Sequence, residues 1–178
     1  MASISGLLWE RYKNKVFLNS LIFMFSILIG YLFESFDTNT VNFQAANLPW
    51  YEYYINNLKV AGIIIVSGFF SYGIGSAILL FYNGLITGVA VSMIFSNKAG
   101  LFFKSFLPHA IFELPSLVVS SIIPFVLWRL FRTLIRNRKK TKNIFNLELI
   151  PLVGIVAIFL FIASFIEAYF SNNFVNDF

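Results

Sequence analysis

The chain has 178 residues, of which 58% are hydrophobic, 12% are charged and none is cysteine. Soluble domains carry about a quarter charged residues, so this composition excludes an ordinary soluble domain and indicates an integral membrane protein. The absent cysteines exclude disulfides, thiolate metal sites and thiol nucleophiles. The net charge of +5 reads as topology signals and anionic-lipid contacts rather than a nucleic-acid surface.

Arg11, Lys13 and Lys15 precede Val16–Phe33, 18 residues without a charge. That run is long enough to cross a bilayer core. It is long for the apolar part of a signal peptide, and no small-residue cleavage site follows, so it is expected to stay as a first span.

The connection from residue 34 to 57 is polar, with Glu34, Asp37 and Glu52 just ahead of Lys59. Asn47 is positioned to cap a short helix, with Pro49 in its first turn. Trp50, Tyr51, Tyr53 and Tyr54 suit an aromatic belt at headgroup level.

Val60–Ser96 contains 37 residues and no charge. One helix of that length would run about 55 Å, against a core of about 30 Å. Two spans with a break at Ser71–Ser76, around Gly73 and Gly75, are expected instead. Gly84 and Gly88 have the G-x-x-x-G spacing that lets helix backbones approach in lipid. Asn83 beside them needs a partner on another helix or on the backbone.

The next span, from 105 to 128, carries the only histidine. His109 and Glu113 are four residues apart and share one helix face. Pro108 suits the first helical turn. Pro115 is expected to kink or stop the helix. Ionisable groups in lipid are costly, so this pair should face a bundle interior or a watery cavity. Seven basic residues without an acid lie between Arg129 and Lys142. A last span over residues 149–168 carries Glu167 at its end.

Both basic clusters should be cytoplasmic, so an even number of crossings must separate them. Four crossings, and five spans in all, satisfy this. The fold expected is all-α: one membrane domain of about five transmembrane helices (16–33, 58–73, 76–96, 105–128, 149–168). The N-terminus and the basic loop 129–148 are cytoplasmic, and loop 34–57 lies outside. His109 and Glu113 then sit roughly 6 and 12 Å below the outer boundary, and Glu167 about 27 Å up from the inner one. If the last two spans pack together, one polar cluster forms in the outer half.

The order Asn56-Asn57, Gly68 to Gly75, Asn83-Gly84 with Gly88, Pro108-His109, Glu113-Leu-Pro115 and a late Glu167 resembles the stage II sporulation protein M family. Ala110 departs from it, where the family usually has glycine. The resemblance covers most of the chain after the first span and implies a component of the bacterial plasma membrane. The sporulation member is a membrane partner of peptidoglycan-degrading proteins. Similar short proteins accompany circular bacteriocins and are linked to their secretion and to self-protection.

Three functions follow as expectations. The first is a non-enzymatic subunit that works with other membrane or envelope proteins or with further copies of itself, without metal or cofactor. The second is a proton-coupled transporter or channel using the His/Glu cluster. The third is an intramembrane metalloenzyme. His109-x-x-x-Glu113 has ligand spacing, but one histidine does not make the two-histidine zinc signature. The polar core is expected to comprise His109, Glu113, Glu167 and Asn83.

Overall fold

A computed structural model describes residues 4–34, 48–101, 103, 106–136 and 138–174. The described chain is all-α. Its helices are α1 (Ile4–Glu34), α2 (Trp50–Phe70), α3 (Ile74–Leu101), α4 (Leu107–Arg136), a short α5 (Arg138–Ile144) and α6 (Ile150–Phe174), with a π-helical turn over Phe145–Leu149 between the last two. Five stretches are long and apolar enough to cross a membrane: Leu8–Phe33, Trp50–Phe70, Ile74–Phe95, Leu107–Arg136 and Thr141–Tyr169.

Several helices run past the apolar stretches that announce them. α1 begins at Ile4 and carries Arg11, Lys13 and Lys15 within it. α2 begins at Trp50, directly after an extended Pro49, and no side chain caps it. Its first two turns hold the aromatic residues and Asn56-Asn57, so the residues expected to form an aromatic belt belong to the second span. Nothing between Trp50 and Ser67 breaks a helix, and polar residues alone do not. Asn47, Asp37 and Ser105 lie outside the described residues, as does most of the connection assigned to 34–57. The stretch 129–148 is also largely helical, since α4 continues to Arg136 and α5 follows.

The uncharged stretch breaks at Ser71-Tyr72-Gly73. Gly73 has φ 97°, a conformation that costs little only for glycine. The Ser71 hydroxyl donates to the Ser67 carbonyl and accepts from Gly75 N–H, both at 2.6 Å. Those bonds satisfy backbone groups freed at the two helix ends, which lipid would otherwise leave without partners.

α4 is the central helix. In its most apolar window 56% of residues are buried within the bundle, against 17–28% in the other spans. It packs on α6, α2 and α1. Small residues make this possible: Ser116, Ser120 and Ser121 are fully buried, each returning its hydroxyl to a carbonyl three or four residues back. The helix runs through Pro115 and Pro124 without stopping. A membrane helix tolerates the lost donors where its surroundings and small local adjustments compensate. Asn19 of α1 donates to Ser121 Oγ at 2.7 Å, a polar cross-link inside the bundle.

α1 packs chiefly against α3. A Cβ on Gly84 would collide with the Ser26 hydroxyl, one on Gly88 with the Ile27 carbonyl oxygen, and one on Gly30 with the Leu85 carbonyl oxygen. The two glycines of α3 and Gly30 of α1 therefore bring the backbones into contact, the close approach their spacing permits. Gly68 lies against Ser76 and Pro124, and Gly75 against Ser67 and Ser71.

Candidate functional site

His109 and Glu113 stand one helical turn apart on α4, and Glu167 comes from α6. The two helices are antiparallel: Phe112 packs edge-on against Phe159, and Arg129 meets Glu148 farther along. That arrangement carries Glu167 to the same end of the bundle as His109. One ligand atom from each of His109, Glu113 and Glu167 falls within 4.8 Å of the others. His109 Nε2 is 4.0 Å from Glu113 Oε2. The His109 and Glu113 side chains are 13% and 25% exposed, so the trio is sheltered but not sealed. The Phe106 ring meets the imidazole edge-on at 5.3 Å.

The trio has the chemistry of a proton-accepting and cation-attracting group. An imidazole and two carboxylates can share protons among themselves or attract a cation. They also offer one nitrogen and two oxygen donors, a set that suits zinc or manganese. A tetrahedral site with bonds of about 2.0–2.1 Å has ligand–ligand edges of about 3.3 Å. The side chains would have to draw together to hold a metal.

Asn83 does not join this group through its amide. It donates to the Leu79 carbonyl at 2.8 Å, and Thr87 donates to the Asn83 carbonyl at 2.8 Å. Both bonds stay within α3, where this half-buried amide is satisfied locally by the preceding turn. Asn56 is exposed. Asn57 is half-buried, and its Nδ2 is the one buried side-chain nitrogen or oxygen without a hydrogen-bond partner among the described residues. Pro108 lies in the first turn of α4. Ala110, at the position of the expected glycine, is buried.

A second polar centre lies at the opposite end of α4. Glu113 and Arg129 are 16 residues apart on one helix, about 24 Å along its axis. Glu148, in the π-helical turn, is buried. Arg129 Nη1 donates to both its carboxylate oxygens at 2.6 and 2.8 Å. The Tyr12 hydroxyl donates at 2.7 Å, and Arg11 Nη1 completes the set. The group ties α1, α4 and the turn before α6 together. In sequence Glu148 reads as a lone acid after a basic run. The available signal is its position at the edge of an apolar span, where an acid needs a cationic partner.

Five spanning helices with ionisable groups gathered at each end of a central helix define a multi-pass membrane protein. The chain belongs to the stage II sporulation protein M family, whose profile matches residues 19–172. Among curated proteins, an uncharacterized protein of Methanocaldococcus jannaschii is 30% identical over 123 residues. That match covers 64% of this chain and 66% of the relative, just under two thirds of its length. No solved structure matches.

Proposed function

We propose that the protein is a non-enzymatic subunit of a membrane assembly, resident in a bacterial plasma membrane. Its N-terminus and the Arg129 end lie in the cytoplasm, and the His109–Glu113–Glu167 end faces outward. The work of the assembly is peptide export with self-protection, of the bacteriocin kind, or envelope remodelling of the sporulation kind. The family resemblance supports both.

The observation that carries this reading is the trio itself. Three ionisable side chains from two helices meet at one end of a bundle whose described residues lie almost all in helices. A protein built this way acts on what reaches it at the membrane. The trio is sheltered enough to be organised and open enough to be met by a partner. A photocrosslinking residue at Leu107, two residues before His109 and exposed, tests this. Capture of a distinct partner from Leu107, and none from the remote and exposed Ile135, is expected. Equal labelling from both positions would contradict it.

Proton-coupled transport is the second reading, favoured by the convergence of an imidazole with two carboxylates. Histidine titrates near neutrality and pairs naturally with carboxylates in relays. Proton flux into proteoliposomes that Glu113→Gln and Glu167→Gln each abolish would put this reading first.

A further inference from the structure

A cavity of about 550 Å³ opens at the end of the bundle away from the trio. Arg11 and Lys15 of α1 and Arg129, Arg132 and Arg136 of α4 line it. The spacing is helical on both sides: four residues apart on α1, and three then four on α4. Each helix therefore turns a basic stripe toward the same space. No acid lines the cavity among the described residues. Glu148 stands behind Arg11 and Arg129, and its single charge cannot neutralise both.

Such convergence is costly unless an anion offsets it, since like charges on one face repel. A topology signal needs only a count of basic residues on one side of the membrane. It does not need five of them aimed into one space. Glu148 also fixes the two guanidinium groups it binds, leaving their remaining N–H donors already oriented.

Aromatic rings share the cavity wall with the charges. The Tyr72 ring stacks on Trp128 with centroids 4.2 Å apart and planes 15° from parallel. Lys15 Nζ sits 3.8 Å above the Phe125 ring. Tyr72 reaches its position with φ 55°, a backbone conformation that a bulky residue adopts only when its surroundings enforce it. Fixed arginine forks beside a flat apolar wall suit a phosphate group, whose several oxygens accept paired N–H donors.

We propose that this cavity binds a phosphate-bearing anion at the membrane surface, either the headgroup of an acidic phospholipid or a free phosphate or diphosphate. The inference does not depend on the role of the outer trio. The full-length protein is reconstituted into nanodiscs of phosphatidylcholine, alone or doped with phosphatidylglycerol, and the retained lipid is weighed by native mass spectrometry. Inorganic phosphate and pyrophosphate are titrated calorimetrically in the phosphatidylcholine discs.

Wild type should retain phosphatidylglycerol in preference to phosphatidylcholine, or bind phosphate or pyrophosphate, at one site. Arg132→Gln with Arg136→Gln should weaken that binding roughly 25-fold, at about fivefold for each cation removed. Lys15→Gln, on the other helix, should weaken it about fivefold and serves if the double variant does not fold. Lys13→Gln with Lys142→Gln removes the same charge outside the cavity and should change binding less than about twofold. Retained phosphatidylglycerol that pyrophosphate does not displace identifies a lipid headgroup; displacement identifies a soluble phosphate. Failure of wild type to bind any of these anions, or equal loss in the cavity and control variants, overturns the proposal.

Discussion

Glu148→Leu should destabilise the bundle more than any other single change to a polar side chain outside the trio. The substitution removes the acceptor for Tyr12 and for two arginines, and leaves both guanidinium charges without a counter-ion. Hydrogen bonds to charged groups contribute about 1.5–3 kcal/mol each, and breaking a fully buried pair costs about 3–5 kcal/mol. Glu148 is 4% exposed, but each arginine is 37% exposed and can regain water. That partial exposure screens the interaction and lowers the cost to about 2–4 kcal/mol. At about 3 °C per kcal/mol for a chain of this size, Tm falls by roughly 6–12 °C. Thermal unfolding followed by fluorescence-detected size exclusion in mild detergent measures it. Glu148→Gln keeps one acceptor and should lose about half as much. Replacing the whole charged set, Glu148→Leu with Arg11→Met and Arg129→Met, should recover most of the loss, because no charge is then left unpaired. A Glu148→Leu protein melting within about 1 °C of wild type would refute the reasoning.

Other outcomes follow from the packing. Gly84→Val and Gly88→Val should each cost about 1–3 kcal/mol in the same thermal assay, since the added atoms meet α1 with no room to move. Gly62→Ala and Gly154→Ala, where nothing lies within 4 Å of the new Cβ, should be neutral or gain up to about 1 kcal/mol through helix propensity. Asn19→Ala should cost only about 0.6 kcal/mol, the usual size of an interhelical hydrogen bond in a membrane. A loss rivalling that of Glu148→Leu would show that the cross-link to Ser121 is something more. Elemental analysis of protein purified without chelator should find metal well below one equivalent. A full equivalent that His109→Ala removes would move the trio to a metal centre.

The elements most legible in sequence were those set by hydrophobic length. A 37-residue uncharged stretch cannot be one span, and the chain turns at Ser71–Gly73 inside the polar, glycine-bearing segment. Gly84 and Gly88 announced a close helix approach, and α1 provides it. His109 and Glu113 were joined by helical spacing, and Glu167 followed once the last two spans packed together. What sequence concealed was set by partners distant in the chain. Nothing local reveals that Glu148 meets Arg11, 137 residues away, or that Asn19 meets Ser121. Asn83 is expected to find a partner on another helix or on the backbone, and its own preceding turn supplies one. The start of α2 was hidden differently. Polar and aromatic residues at a membrane surface read as a loop, yet they extend a helix as readily as they end one. Pro115 reads as a kink or a stop because it removes a helical donor, yet α4 continues through it to Arg136.

The measurement that bears most directly on the account is co-purification from native membranes in mild detergent, with wild type compared against Glu113→Gln. Glutamine keeps the size of the side chain and removes its charge. A defined set of membrane or envelope proteins accompanying wild type, and lost from an equally folded Glu113→Gln protein, is the result predicted for a trio that organises an assembly. Wild type that purifies alone, without any partner, would contradict the subunit reading and leave proton-coupled transport in its place.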